Sequence, residues 1–203
     1  MKKIVVFASG NGSNFQSLAE QLHKKHCEVA LLVCDKPEAF CLERAKQLEI
    51  ATLAVNPKQF ASKELYELEI AKHLTTINPD LIVLAGYMRI IGKTLLDRYE
   101  GKIINIHPSL LPAFPGRDGI GDAIEYGVKI MGVTVHYIDD GIDTGKIIDQ
   151  ACFKLEGDES DEEIKQKIHV LEHELYPQVI KNLLEIKNKE LCKNETSINQ
   201  CIR

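Results

Sequence analysis

Continuously apolar runs, separated by stretches with helical spacing, constrain this chain more than anything else in it. "IVVFA" (4–8) and "LIVLAG" (81–86) contain no polar residue that could face water on alternate positions. Such runs suit strands covered on both faces, as in parallel sheets. Strands are predicted at 3–8, 28–34, 51–55, 80–85, 102–107, 130–138 and 146–154. Helices are predicted near 13–25, 38–48, 60–77 and 118–127. Repeated strand–helix units predict an open, mostly parallel doubly wound α/β sheet, a Rossmann-like arrangement with helices on both faces. Residues 130–154 hold two strands joined by "DDGIDTG", so the sheet is expected to become mixed toward the C-terminus. Ser160 and Glu163 then form a capping box, followed by an apolar stripe of Ile164, Ile168, Leu171, Leu175 and Val179. Pro177 is a candidate kink point in this last helix. After Ile186 the chain turns polar, and 187–203 is read as a solvated tail beyond a single domain at 1–186.

Several function classes are disfavoured. The formal net charge is −5 without a long basic run, which argues against a nucleic-acid partner. No apolar run approaches membrane-spanning length, and "MKKIVVFASG" is poor as a signal peptide. The six cysteines (27, 34, 41, 152, 192 and 201) make no CxxC pair, so reduced thiols in a cytoplasmic protein are expected.

Two stretches carry the chemistry. "SGNGSN" (9–14) follows the first strand and opens the first helix, with Ser13 or Asn14 available as the cap. Free amides at a helix N-terminus suit a phosphate. Phe15 stands where a dinucleotide fingerprint would place its third glycine, and no Gly-Lys-Ser/Thr follows. A monophosphate or phosphosugar therefore fits better than NAD or ATP, and a plain strand–helix turn is the alternative. "INIHPSLLP" (104–112) places Asn105 and His107 on one face at a strand end, with Ile104 and Ile106 on the other. Ligands of open α/β sheets sit beyond the carboxyl ends of parallel strands. Residues 10–14, 86–89 and 105–107 all fall there, and 139–145 supplies carboxylates. An aspartate beside His107 would favour imidazolium. With the Asn105 amide it could stabilise an oxyanion without a metal.

Competing readings are weaker. Ser109 lacks the G-x-S-x-G elbow of a serine hydrolase. His169 and His173 lie four apart, a zinc-like spacing, but with no HExxH and no third ligand. His23, His26 and His73 read as solvated, and His136 as a hydrogen-bonded structural histidine.

"INIHPSLLPAFPG", with "DDGIDTG" downstream, resembles the folate-dependent formyltransferase family, and "SGNGSN" and "LAGYMRII" extend the likeness over 1–186. The resemblance implies transfer of a formyl group from 10-formyltetrahydrofolate, as cosubstrate, to the amine of glycinamide ribonucleotide in purine synthesis. It implies a catalytic trio of Asn105, His107 and Asp143. Gly12, Ser13 and Asn14 match the loop for the substrate phosphate, and His169 and Glu172 match a helix segment at the same substrate. Met88, Arg89, Ile90 and Ile91, with Asn105 and the loop Asp139, Asp140, Gly141 and Ile142, match the folate pocket. Lys63 stands where relatives carry arginine: the charge is kept and the planar fork is lost. The resemblance further implies small-molecule substrates only, no metal, no nucleic acid, no membrane, and a monomer or homodimer in the cytoplasm. A cis Leu111–Pro112 bond is also expected, and 116–127 receives no role. Methionyl-tRNA formyltransferase would need a further C-terminal domain, and formyltetrahydrofolate hydrolase usually follows a regulatory domain. A non-catalytic phosphosugar-binding module is the rival of a different class.

Overall fold

Strand β1 (Lys3–Ala8) shows how the sheet is covered. Ile4, Val6 and Ala8 enter one hydrophobic cluster, while Val5 and Phe7 enter another. Strand side chains alternate faces, so a strand apolar at every position must be buried on both. The computed structural model describes the backbone of residues 1–200 and the side chains of 1–185.

After β1 come helix α1 (Ser13–Leu22), strand β2 (Glu28–Cys34), helix α2 (Phe40–Gln47) and strand β3 (Thr52–Ala54). Helix α3 (Lys63–Ile77), strand β4 (Leu81–Leu84), the short helix α4 (Lys93–Leu96) and strand β5 (Ile103–His107) follow. The chain ends in α5 (Gly119–Tyr126), β6 (Ile130–Tyr137), β7 (Ile147–Lys154) and α6 (Asp161–Gln200). The seven strands are ordered β3-β2-β1-β4-β5-β6-β7. The first five are parallel, and β6 and β7 are antiparallel to their neighbours. The mostly parallel, C-terminally mixed α/β sheet expected from the sequence is therefore present.

The apolar faces of α1, α2, α5 and α6 pack on one side of the sheet, and those of α3 and α4 on the other. Chain order reverses at β1, whose neighbours are β2 and β4, which makes a crevice at their carboxyl ends. Helix α6 is fixed over β4 and β5 by Tyr176, which is fully buried. Its hydroxyl donates to the carbonyls of Leu84 (2.9 Å) and Ile104 (3.2 Å). The capping box is present: Ser160 N–H reaches Glu163 Oε2 at 2.8 Å, and Glu163 N–H reaches Ser160 Oγ at 3.3 Å. In the apolar stripe Ile164, Ile168 and Val179 are buried, with Leu171 and Leu175 partly so.

Several boundaries shift. Helix α1 stops at Leu22, where His23 turns extended and the chain tightens back toward Cys27. His23 is not merely solvated, since its Nδ1 accepts from Val29 N–H at 3.0 Å. Residues 57–59 form a separate 3-10 turn, and Ser62 caps α3 through the Leu65 amide, so that helix starts later than expected. Helix α4 was not anticipated. Helix α6 runs through Pro177 to Gln200, and the polar tail read at 187–203 lies outside the described side chains.

Candidate active site

Strand β5 delivers the central pair. Ile104 and Ile106 belong to the α6-side cluster and Ile103 to the other, so Asn105 and His107 share the face of Ile103. Across the ladder, Asn105 pairs with His136 and His107 with Thr134. Thr134, fully buried, secures the loop after β5. Its hydroxyl donates to the Ser109 carbonyl at 2.7 Å and accepts from Leu111 N–H at 3.0 Å. The Leu111–Pro112 bond in this loop is cis. Ser109 Oγ is committed to the Ala113 carbonyl at 2.7 Å and is buried, so it is no nucleophile.

His107 is 4 % exposed. Its Nε2 lies 2.8 Å from the Phe114 carbonyl, which can only accept, so this nitrogen carries a proton. Its Nδ1 lies 3.5 Å from Asp143 Oδ2. The carboxylate thus stands beside the Nδ1 edge of the ring, where it would offset positive charge on the imidazole during a reaction. Asp143 itself sits at φ 54°, the left-handed region that Asp and Asn tolerate better than most residues. Its Oδ2 also accepts from Gly116 N–H at 2.8 Å. The loop carrying it is held by Asp139, whose Oδ1 accepts from Gly141 N–H (3.1 Å) and Thr144 Oγ1 (2.7 Å). Gly145 closes it: a Cβ there would stand 1.8 Å from the Tyr137 carbonyl oxygen.

His136 is a buried, hydrogen-bonded histidine, as its sequence context suggests, and one of its partners is Asn105. Its Nδ1 lies 2.9 Å from the Tyr137 carbonyl and therefore donates. In the neutral ring Nε2 must accept, and Asn105 Nδ2 stands 3.3 Å from it. Burial pushes the His136 ring down from its ordinary value, against the upward pull of the Tyr137 carbonyl and Asp143. The neutral ring thus orients the Asn105 amide, leaving its second N–H for a ligand. His136 Nε2 is also 3.6 Å from Asp143 Oδ1, so one carboxylate borders both histidines. Sequence spacing cannot reveal this, because the contact is made across the β5–β6 ladder.

These groups open on a cavity of about 600 Å³ at the carboxyl ends of the strands. Met88, Arg89, Ile90, Ile91, Asn105, His107, Asp139, Gly141, Ile142 and Asp143 line it. Met88 and Ile90 present exposed apolar side chains there, and the Arg89 guanidinium stands 5.6 Å over the Tyr66 ring. Asp140 and Lys63 do not line the cavity. Lys63 Nζ lies 4.0 Å from Glu67, which also accepts from the Gly92 amide. Asp35, at the end of β2, lines the cavity and was missed. It is buried, and its Oδ1 has no hydrogen-bond partner among the described residues.

The glycine loop lies beside this cavity. Gly12, at φ 79°, occupies the N-cap position of α1 without a side-chain cap. Neither Ser13 nor Asn14 caps the helix: both already lie inside it, and Asn14 Nδ2 donates to Glu172 Oε2 at 3.0 Å. Glu172, buried on α6, also meets His169 Nδ1 at 2.8 Å. That bond holds the His169 ring above its ordinary value, with burial opposing. His169 and Glu172 thus reach the loop rather than the main cavity. Arg44, not foreseen, braces the loop by donating to the Asn11 carbonyl (2.8 Å) and Asn11 Oδ1 (2.7 Å), and it also meets Gln16. His169 and His173 stack with ring centroids 6.4 Å apart. Among the described residues, no group of three or more His, Cys, Asp or Glu gathers as metal ligands would.

Asn105 and His107 share one strand face with Asp143 beside the ring, next to an apolar-rimmed cavity and an anion-suited loop. Comparison with known proteins shows what the chain as a whole is similar to. Residues 2–180 match the family described as formyl transferase. The chain is 52% identical over 191 residues to phosphoribosylglycinamide formyltransferase of Bacillus subtilis, covering 93% of this chain and 98% of that protein. It is 38% identical to the Escherichia coli protein of the same name, covering 87% of this chain and 84% of that one. Among solved structures, glycinamide ribonucleotide transformylase 1 of Geobacillus kaustophilus is 50% identical with a TM-score of 0.88, over 91% of this chain and 99% of that one.

Proposed function

The chain belongs to the formyl transferase family, and from that premise we propose that it moves the formyl group of 10-formyltetrahydrofolate onto the amine of glycinamide ribonucleotide. The products are N-formylglycinamide ribonucleotide and tetrahydrofolate, a step of de novo purine biosynthesis. The observation that carries this reading is the 3.5 Å approach of His107 Nδ1 to Asp143, with Asn105 on the same strand face.

Gly12, Ser13 and Asn14 bind the 5′-phosphate with backbone amides at the start of α1. Glu172 and His169 complete that end of the site, and Arg44 keeps the loop in shape. The loops 88–91 and 139–143 enclose the folate head. When the substrate amine attacks the formyl carbon, negative charge grows on the formyl oxygen. Asn105 Nδ2–H and the His107 imidazolium donate to it, while Asp143 offsets the charge of the ring. One amine proton leaves and the folate N10 gains one, so the proton count balances. Asp143 and His107 are the groups placed to carry it, through a water if needed. No metal takes part, since the two donors supply the charge stabilisation. The domain is taken as 1–186, working in the cytoplasm on small molecules as a monomer or homodimer.

The test is turnover of 10-formyltetrahydrofolate by the purified protein with and without glycinamide ribonucleotide. Tetrahydrofolate release that depends on the ribonucleotide, with formylated product, is expected. Formate release at the same rate without it would make the protein a hydrolase and overturn the reading.

A further inference from the structure

Two thiols that the reaction does not use lie directly under the phosphate loop. Cys34 ends β2 and Cys41 sits in the first turn of α2, and both are fully buried. Cys41 Sγ donates to Cys34 Sγ across 3.6 Å. Cys34 Sγ in turn donates to the Lys36 carbonyl at 3.2 Å, a proton it must give up before it can act as a thiolate. Cys41 supports the loop in two ways. Its amide donates to the Gly10 carbonyl at 3.1 Å. A Cβ on Gly12 would come 2.5 Å from Cys41 Cβ, so the loop backbone rests on this side chain.

We propose that Cys34 and Cys41 form an oxidative modification site, closed to a disulfide by hydrogen peroxide, and that closure shifts the phosphate loop and weakens phosphosugar binding. The functional half of this rests on the assignment of that loop to the substrate phosphate. The Cys34 thiolate attacks the peroxide O–O bond, giving a sulfenic acid on Cys34 and one water after protonation. The Cys41 sulfur then attacks the Cys34 sulfur, the S–S bond forms, and the second water leaves. Two thiols lose two electrons and two protons, and the peroxide is reduced to two waters. The hydrogen bond from Cys41 lowers Cys34, with burial opposing, and the same bond raises Cys41. Because Cys41 Sγ is the donor to Cys34 Sγ, a thiolate on Cys34 keeps a hydrogen bond, and the thiolate is the nucleophile. Burial pushes Cys27 up to about 12, which keeps it a thiol.

Closure must bring the sulfurs from 3.6 Å to about 2.05 Å. Strand β2 is paired on both sides, with β1 and β3, so Cys34 is the fixed partner. The first turn of α2, whose N-cap residue makes no side-chain bond, is the part that yields. Gly10 and Gly12 follow Cys41. Loss of one amide hydrogen bond to the phosphate through such a shift is expected to weaken ligand binding by about tenfold. Both thiols are shielded, so closure needs a local opening and runs slower than oxidation of the exposed Cys152.

The experiment uses the full chain carrying Cys152→Ser, Cys192→Ser and Cys201→Ser, treated with hydrogen peroxide. Intact mass should fall by two hydrogens. Unreduced cleavage before Asp35 should leave the Cys34 and Cys41 fragments linked. Calorimetry should show glycinamide ribonucleotide affinity down about tenfold and restored by dithiothreitol, with affinity for a folate analogue unchanged throughout. Adding Cys41→Ala should abolish the link and the sensitivity. Absence of the link, or a link without loss of ribonucleotide affinity, would overturn the proposal. If the reduced protein bound no ribonucleotide at all, the functional reading would fail, while the mass would still decide whether the disulfide forms.

Discussion

Asp143→Asn isolates one charge. Asn tolerates the left-handed backbone at φ 54° and can still accept from the Gly116 amide, so the loop should keep its shape. What is lost is the negative charge 3.5 Å from His107 Nδ1. At an effective dielectric of about 20, unit charges at that separation interact by about 5 kcal/mol. The Asp143 side chain is 13% exposed, so solvent screens part of this. The expected loss is about 3 kcal/mol in the barrier, or roughly 10²-fold in kcat. Steady-state formyl transfer, followed by tetrahydrofolate formation, measures it, with circular dichroism confirming the fold. The KM for glycinamide ribonucleotide should change little, because Asp143 is not at the phosphate loop. A kcat within threefold of wild type would refute the assignment of Asp143 as the counter-charge of the imidazolium.

Glu172→Gln should raise the KM for glycinamide ribonucleotide several-fold and leave that for the folate unchanged, since Glu172 ties Asn14 to His169; equal shifts in both would contradict the separation of the two ends. His169 is held above 6.5 by that same carboxylate. Its folded form binds protons more tightly than the unfolded chain, so the pair's stabilising effect is complete below that value and fades as pH rises through the raised one. Ribonucleotide affinity measured across that window should fall on the alkaline side, with the transition at lower pH in Glu172→Gln. Tyr176→Phe leaves two buried carbonyls short of a donor and should cost about 2 kcal/mol in urea unfolding; a change below about 0.5 kcal/mol would mean Tyr176 does not staple α6 to the sheet.

Local patterns carried much of the fold. The apolar runs at 4–8 and 81–84 announced strands buried on both faces, and Ser160 with Glu163 announced the start of α6. The facing of Asn105 and His107 followed from strand periodicity alone. What stayed hidden depends on contacts distant in sequence. His136 gained its role from the register that sets it opposite Asn105. Arg44 reaches the phosphate loop from α2, and Asn14 spends its amide on Glu172, 158 positions away, instead of capping its own helix. Asp35 follows β2 directly, and its place on the cavity wall comes from the sheet's topology rather than from any local pattern. Helix α4 is a single turn, too short for a hydrophobic period to show.

The central claim is that Asn105, His107 and Asp143 act together on one carbonyl oxygen. A crystal structure of the protein with glycinamide ribonucleotide and a non-transferring formyl-folate analogue tests it most directly. The account expects the formyl oxygen about 3 Å from both Asn105 Nδ2 and His107 Nδ1, with Asp143 still against the ring and the phosphate on the amides of residues 12–14. A formyl oxygen directed elsewhere, or His107 and Asp143 held apart with both ligands bound, would contradict it.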